Sequence, residues 1–187
     1  MRIIGGEFRG KNLNTFRGRD IRPTSDRLRE SLFNIMGKRV HDTHVLDLFA
    51  GTGALGIEAL SRGAQSAVFI DHYKPAIRLI QRNIRDCDLD RKAGILYWNI
   101  KNNLNCLQTY DPAFDLVFMD PPYDKNLVEQ TLSHLCETPI LARNANIIVE
   151  HSLDEHIRNV QPNFTLTDQR KYGKTRFTFL SYNKHTG

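Results

Sequence analysis

Two short motifs in this sequence combine residue types that can hold a nucleoside and present an amine for chemistry. One is Asp47-Leu48-Phe49-Ala50-Gly51-Thr52-Gly53, and the other is Asp120-Pro121-Pro122-Tyr123. Each motif follows a short apolar run that is typical of a buried parallel strand. Because ligands of open parallel sheets bind beyond the carboxyl ends of the strands, the two motifs predict one shared site.

The first motif has the spacing of a nucleoside-binding turn. Gly51, Gly53 and Gly56 follow the pattern G-x-G-x-x-G between a strand and a helix, and Asp71 comes 20 residues after Gly51, at the end of the next strand. The glycines let the backbone approach a ligand, and the later carboxylate can accept both ribose hydroxyls. A tight turn without a ligand is the simpler alternative, but the strand–turn–helix context and the acid favour a binding site.

Asp47 distinguishes two kinds of cofactor. A dinucleotide is the general ligand of this turn, yet the Asp47 carboxylate would repel a pyrophosphate. The sulfonium and α-amino groups of S-adenosylmethionine are both positive, so the sequence favours this cofactor. Asp47 can also accept hydrogen bonds from the N–H groups of the turn itself, and the two roles are compatible. Phe49 and His72 are further candidates for cofactor contact, although a plain loop histidine is an equally good interpretation of His72.

The second motif suits an exocyclic amine. Two prolines fix φ and stiffen the backbone, so the Asp120 carboxylate and the Pro121 carbonyl can converge as acceptors for the two N–H groups of a base. Tyr123 offers a flat surface for stacking, and Asp120 can carry a proton away. These residues predict methyl transfer to a base nitrogen, with an ordinary rigid loop as the simpler alternative.

The hydrophobic pattern predicts a doubly wound α/β fold, in which short apolar strands alternate with helices and the chain ends in an antiparallel hairpin. The predicted strands are 45–49, 67–70, 95–98, 116–119, 147–149, 164–170 and 176–182. Ser25 is predicted to cap a helix that ends at about Met36, and a second helix with Ile57, Leu60 and Ala64 is predicted after the first strand. Pro75 is predicted to open a third helix, and the run from Leu127 to Leu135 to form a fourth. Residues 2–14 are predicted to form a small hairpin.

The positive charge is concentrated at the beginning of the chain. The formal net charge is +5, and residues 1–42 hold ten Lys/Arg and five acids, whereas the remainder holds sixteen of each. The asymmetry favours contact with a polyanion, although a solvated basic face explains the charge equally well. We predict a basic hairpin-helix extension over 1–42 and a catalytic domain over 43–184.

Composition disfavours several classes of protein. No apolar run is long enough for a membrane span, and Met1-Arg2 is not followed by the apolar core of a secretory signal. The cysteines (Cys87, Cys106 and Cys136) are far apart, and the histidines lack metal-ligand spacing. We therefore expect no metal site and a reducing cytoplasm.

The two motifs resemble those of Rossmann-like class I methyltransferases that modify exocyclic amines. From Arg2 to about Tyr182 the chain resembles the bacterial RsmD family, on the motifs Arg2-Ile3-Ile4-Gly5-Gly6, Arg9-Gly10, Arg22-Pro23-Thr24, Arg29-Glu30-Ser31-Leu32-Phe33-Asn34 and Gly56-Ile57-Glu58-Ala59-Leu60-Ser61-Arg62-Gly63-Ala64. The resemblance implies transfer of a methyl group from S-adenosylmethionine to N2 of guanine 966 in 16S rRNA. It implies a seven-stranded, mostly parallel sheet with helices on both faces, a C-terminal antiparallel hairpin and the N-terminal extension.

The resemblance also assigns roles to residues. Asp47, Gly51 and Gly53 would line the methionine end of the cofactor, Asp71 its ribose, and Asp120-Pro121-Pro122-Tyr123 the guanine. Such enzymes commonly place Asp near the adenine amino group after the third strand; here Asn99 can accept the same bond without charge. The expected RNA contacts are Arg2, Arg9, Lys11, Arg22, Thr24, Arg27 and Lys174. The expected substrate is an assembled or late-assembling small subunit, and the expected enzyme is a monomer.

Three other functions stay open at this level. Guanine N2 and adenine N6 are similar donors, so Asp120-Pro121-Pro122-Tyr123 alone does not exclude an adenine-N6 methyltransferase acting on DNA or RNA. A dinucleotide-dependent oxidoreductase is disfavoured by Asp47 and by the length of 187 residues, which scarcely allows a separate substrate domain. A catalytically silent RNA-binding module is the third alternative.

Overall fold

The computed structural model of this protein describes residues 1–16, 25–122, 127–155, 157 and 161–183. Within these ranges seven strands form one sheet: β1 (His44–Leu48), β2 (Ser66–Asp71), β3 (Ala93–Tyr97), β4 (Phe114–Met119), β5 (Leu141–Ser152), β6 (Phe164–Tyr172) and β7 (Thr175–Tyr182). Their order is β3-β2-β1-β4-β5-β7-β6. β1 to β5 run parallel, and β7 runs antiparallel between β5 and β6. The predicted mostly parallel sheet with an antiparallel C-terminal hairpin is confirmed.

The α-helices of the described residues are α1 (Asp26–Met36), α2 (Ala54–Ser61), α3 (Lys74–Asp86) and α4 (Leu127–Glu137). Both ends of α1 and the beginning of α3 lie where the sequence signals predict. Ser25 Oγ accepts a hydrogen bond from Leu28 N at 3.3 Å, and Gly37 ends α1 with a φ of 54°. Pro75 lies in the first turn of α3, as predicted. No helix in the described part of the chain is long and apolar enough to cross a membrane.

Two apolar layers cover opposite faces of the sheet. Leu32 of α1 and Ile80 of α3 belong to one layer, and Leu132 of α4 belongs to the other. Because successive strand residues point to opposite faces, the neighbours Val45 and Leu46 lie in different layers. The predicted placement of helices on both faces is confirmed.

β5 is longer than the sequence pattern predicts. The apolar run covers only 147–149, but the strand runs from Leu141 to Ser152. Arg143 and Asn144 are exposed, Asn144 has a φ of 63°, and the pairing with β4 shifts register nearby. An irregular, half-solvated strand segment lacks the apolar signal on which the prediction rests.

The N-terminal segment packs on α2 through a buried carboxylate. Glu58 accepts hydrogen bonds from Ile4 N and Gly5 N, each at 2.8 Å, and from Arg62 Nε at 2.7 Å. The Arg29 guanidinium of α1 lies 3.7 Å from the same carboxylate, and both side chains are fully buried. A buried carboxylate needs such partners, so the segment, α1 and α2 form one packed unit. The domain boundary at residue 42 stays a prediction.

Candidate active site

The two sequence motifs leave the sheet side by side. β1 and β4 are parallel neighbours, and Leu48 pairs with Met119 at their carboxyl ends. The glycine turn follows β1, and Asp120 follows β4 directly. One ligand beyond this edge can therefore contact both motifs, which is the condition that the predicted chemistry requires.

The Asp-Pro-Pro motif forms the β4 side of this edge. Asp120 is half-buried, Pro121 is buried and Pro122 is exposed. Consecutive prolines restrict the backbone, so the Asp120 carboxylate and the Pro121 carbonyl stand on a stiff segment. Tyr123 lies outside the described residues, and its stacking role stays a prediction.

The glycine turn has left-handed backbone at three positions. φ is 60° at Phe49, 57° at Gly51 and 76° at Gly53. Gly53 N donates to Ala50 O at 2.7 Å, and α2 begins at the next residue. Glycine adopts this conformation freely, whereas Phe49 is strained there, and such strain is common beside binding sites.

Asp47 supports the start of α2 from inside the sheet. Its side chain is buried, with 2% of the residue exposed, and Oδ2 accepts a hydrogen bond from Gly56 N at 2.9 Å. Burial raises the pKa of Asp47 to about 8; the Gly56 hydrogen bond opposes this rise, and the charge of Asp71 adds to it. A Cβ at residue 56 would collide with the Phe69 ring, so only glycine fits there.

Asp71 joins the end of β2 to the glycine turn. Oδ2 accepts from Gly51 N at 2.9 Å, and Oδ1 accepts from Tyr73 N at 2.8 Å. The side chain of His72 is exposed, and its Nδ1 lies 3.7 Å from Asp71 Oδ1. The structure thus brings Asp71, His72 and Gly51 together.

Asn99 lies two residues beyond β3, at the same end of the strands as Asp71. Tyr97, the last residue of β3, pairs with Asp71. Asn99 is exposed, and its Oδ1 accepts a hydrogen bond from Lys101 N at 3.2 Å. The position agrees with an adenine contact, which stays a prediction.

Asn83 is a site residue that the sequence analysis missed. It is fully buried in α3, and its Nδ2 donates to Thr52 O of the glycine turn at 2.9 Å. Its Oδ1 accepts from Asn14 N at 2.8 Å. Asn83 therefore connects the N-terminal segment to the turn. The available signal was an amide between the apolar residues of α3, where a polar side chain needs partners.

The predicted RNA contacts occupy two places. Arg2, Arg9 and Arg27 are exposed and Lys11 is half-buried, all in the N-terminal part. Lys174 is exposed in the β6–β7 turn, where its carbonyl accepts from Leu153 N, just beyond the carboxyl end of β5. It therefore lies at the same edge of the sheet as Asp120. Arg22 and Thr24 lie outside the described residues.

Two other kinds of site, a metal cluster and a separate cavity, can be compared with this edge of the sheet. Within the described ranges, no group of three or more His, Cys, Asp or Glu is placed to hold a metal ion. A cavity of about 320 Å³ opens between α3 and the start of β3, lined by Gln81, Ile84, Arg85, Asp90, Ala93 and Ile95. Because Ala93 begins β3, this cavity is at the opposite end of the strands from the two motifs.

Comparison with known proteins identifies the family. The family described as "Conserved hypothetical protein 95" matches residues 1–181. Ribosomal RNA small subunit methyltransferase D of Haemophilus influenzae is 37% identical over 174 residues, which cover 92% of this chain and 89% of that protein. The protein of the same name in Escherichia coli K12 is 34% identical over 177 residues, with 95% and 87% covered. The chain belongs to the RsmD family.

A solved structure agrees with membership of the RsmD family. The structure described as a putative methyltransferase yhhF from Escherichia coli superposes with a TM-score of 0.86 at 33% identity, over 98% of each chain. The chain therefore has the class I methyltransferase fold, as the resemblance implies, with the sheet order given above.

Proposed function

We propose that this protein transfers a methyl group from S-adenosylmethionine to N2 of guanine 966 in 16S rRNA. The observation that carries the proposal is the pairing of Leu48 with Met119, because it brings the glycine turn and Asp120 to one edge of the sheet. The names of the two RsmD relatives support ribosomal RNA of the small subunit as substrate. The resemblance of the N-terminal motifs supports the choice of nucleotide.

The charges at the glycine turn fit S-adenosylmethionine better than a dinucleotide. Asp47 and Asp71 are buried carboxylates on neighbouring strands, and their repulsion contributes to the raised pKa of Asp47. A cationic ligand relieves this repulsion, whereas a pyrophosphate adds to it. The residues proposed to hold the cofactor are Asp47, Phe49, Gly51, Gly53, Asp71, His72 and Asn99.

Asp120 and the Pro121 carbonyl are proposed to hold the guanine amino group. Both are acceptors, and the amine has two N–H donors. Its lone pair is delocalised into the ring, so hydrogen bonds to both protons favour a pyramidal, nucleophilic nitrogen. S-adenosylmethionine, when bound, supplies a methyl group whose bond to a positive sulfur breaks as the bond to N2 forms. Asp120 then takes the amine proton or passes it to water, while Tyr123 stacks on the base.

The basic extension is proposed to bind the RNA. Exposed arginines in residues 1–42 contact phosphates, which gives salt-dependent affinity with little sequence selectivity. The target guanine leaves its stack to enter the site formed by residues 43–184. We propose a cytoplasmic monomer without a metal, acting on an assembled or late-assembling small subunit.

Complementation tests the proposal. An Escherichia coli strain that lacks its own ribosomal RNA small subunit methyltransferase D would express this protein or the Asp120→Ala variant at equal levels. Nucleoside analysis and mapping of 16S rRNA should show N2-methylguanosine at position 966 only with the unmodified protein. Methylated adenine N6 would support the alternative activity, and 16S rRNA without a new methyl group would contradict methyl transfer.

A further inference from the structure

The outer face of α3 carries a row of basic side chains. Lys74, Arg78, Arg82 and Arg85 are all exposed. At 100° per residue, these positions fall within an arc of about 80°. Neighbouring members stand roughly 4.5–6 Å apart along the helix axis, and the row spans about 17 Å. We call these four residues the α3 ridge.

The ridge holds more positive charge than the helix needs for folding. Among the described residues, its one salt bridge joins Arg82 Nε to Asp86 at 3.9 Å, and a long, exposed pair of this kind contributes little. Lys74 Nζ lies 5.7 Å from the centre of the Tyr97 ring. A cation in the first turn of a helix is repelled by the helix dipole, so Lys74 does not stabilise α3 in this way, whereas Arg85 in the last turn does.

The N-terminal segment packs alongside α3. Asn14 Nδ2 donates to Asn83 Oδ1 at 3.0 Å and to Asp86 Oδ2 at 2.7 Å, near the end of α3. The Phe16 and Tyr73 rings lie 6.0 Å apart, near its beginning. The segment therefore follows α3 towards the carboxyl ends of the strands, on the face of the sheet that α3 covers.

The N-terminal end of the ridge, at Lys74, lies beside the candidate active site. Asp71 closes β2 three residues before Lys74. Tyr97 pairs with Asp71 and is 56% exposed, so the first ridge cation stands over an accessible aromatic ring. A polyanion that lies along the ridge is thereby directed to the edge where the glycine turn and Asp120 meet.

We propose that the α3 ridge is a second RNA-binding surface, which takes the phosphate backbone of the rRNA in addition to the contacts of residues 1–42. This proposal rests on the proposed function, because it takes RNA as the substrate. Guanidinium groups bind phosphate oxygens in pairs, and a row of them can contact successive phosphates. Such contacts position the RNA without reading its sequence.

Salt-dependent binding to an unmodified 16S rRNA transcript tests the ridge. Arg78→Gln/Arg85→Gln removes two ridge charges, and the control Arg91→Gln/Arg143→Gln removes two exposed arginines, one just before β3 and one in the first half of β5, away from the carboxyl ends of the strands. The ridge variant should flatten the slope of log K against log[KCl] by about 1.5 and raise the KM for RNA roughly tenfold. kcat and S-adenosylmethionine affinity should stay unchanged, and Arg78→Lys/Arg85→Lys should retain the wild-type slope.

Two outcomes overturn the inference. If the slope and KM of the ridge variant equal those of the control, the ridge does not bind RNA. If binding to the naked transcript is normal but binding to small subunits is weakened, the ridge contacts a ribosomal protein instead. Failure of the unmodified protein to methylate any RNA would contradict the proposed function, while the salt slopes would still test the ridge.

Discussion

The Asp71 carboxylate accepts a hydrogen bond from Gly51 N at 2.9 Å and thereby connects β2 to the glycine turn after β1. Its second oxygen accepts from Tyr73 N at 2.8 Å. Each carboxylate oxygen has two lone pairs, so ribose hydroxyls can be accepted beside these backbone donors. The residue proposed to bind the ribose therefore also fixes the backbone around it.

Asp71→Asn should weaken S-adenosylmethionine binding at least about tenfold, which corresponds to roughly 1.4 kcal/mol. An amide offers one acceptor oxygen and turns an N–H group towards a backbone donor, so the turn loses one of its two bonds. Calorimetry measures the Kd, and Asp90→Asn, which removes an exposed charge, is the control. An unchanged Kd in Asp71→Asn would exclude the ribose role, and RNA affinity should stay unaltered.

Asp47 should make cofactor binding depend on pH. Its pKa is about 8, and a cationic ligand binds the ionised form, so affinity should rise about tenfold per pH unit below 8 and level off above it. Asp47→Asn should bind weakly at every pH. Titrations between pH 6 and 9 measure both; a flat profile in the unmodified protein would contradict cation binding at Asp47.

The Asp47 carboxyl should also lower the free energy of unfolding as pH rises. The folded-state pKa of about 8 exceeds the unfolded value near 3.8, so the folded state holds the extra proton between these values. The stabilising contribution is complete below about pH 4 and is lost as pH rises through 8. Urea unfolding of Asp47→Asn should show a smaller decline over this window than the unmodified protein, and an equal decline would contradict the assignment.

Gly6→Ala should displace the N-terminal segment from α2. Gly6 has a φ of 77°, and a Cβ there would overlap Ser61 O, whereas Gly10 has a φ of 87° and open space around it. Both variants carry the backbone strain of about 1 kcal/mol, but only Gly6→Ala adds the collision. RNA affinity should fall in Gly6→Ala and change little in Gly10→Ala, with cofactor affinity retained in both. Equal RNA affinities in the two variants would show that RNA binding does not depend on the packing of the N-terminal segment against α2.

Glu58→Gln should destabilise the protein by about 3 kcal/mol, because it removes the buried carboxylate charge that faces Arg29 and Arg62. Arg29 then relies on the Asp26 carboxylate, at 2.7 Å, for its compensating charge. Ile4 N and Gly5 N bond different oxygens of Glu58, so the amide also turns an N–H group towards one of these two donors. Urea unfolding measures the free energy, with the exposed Glu30→Gln on α1 as control. A loss equal to that of the control would show that the buried pair is not required.

Much of the fold follows from local pattern. Ser25, Gly37 and Pro75 mark helix ends because their capping and φ preferences act within a few residues. The placement of the two motifs at one edge of the sheet also follows, since both come directly after buried parallel strands. The first half of β5 does not, because Arg143 and Asn144 interrupt its apolar alternation.

Long-range polar contacts could not be predicted. Glu58 meets Ile4 and Gly5 across more than fifty residues, and Asn83 meets Asn14 across 69. A buried polar residue in a helix shows only that it needs partners, and the folded chain supplies them. The α3 ridge was missed for a related reason. The net charge from residue 43 onwards is zero, and this sum conceals the clustering of basic side chains on one face of α3.

Transfer of tritiated methyl from S-adenosylmethionine to unmodified small subunits, followed by mapping of the labelled nucleotide, tests the central claim most directly. The protein should label one guanine, position 966 of 16S rRNA, at N2. Asp120→Asn should lower the rate at least about 100-fold with cofactor and RNA binding retained, because a proton acceptor at the amine is lost. Label at another atom, or undiminished transfer by Asp120→Asn, would contradict the account.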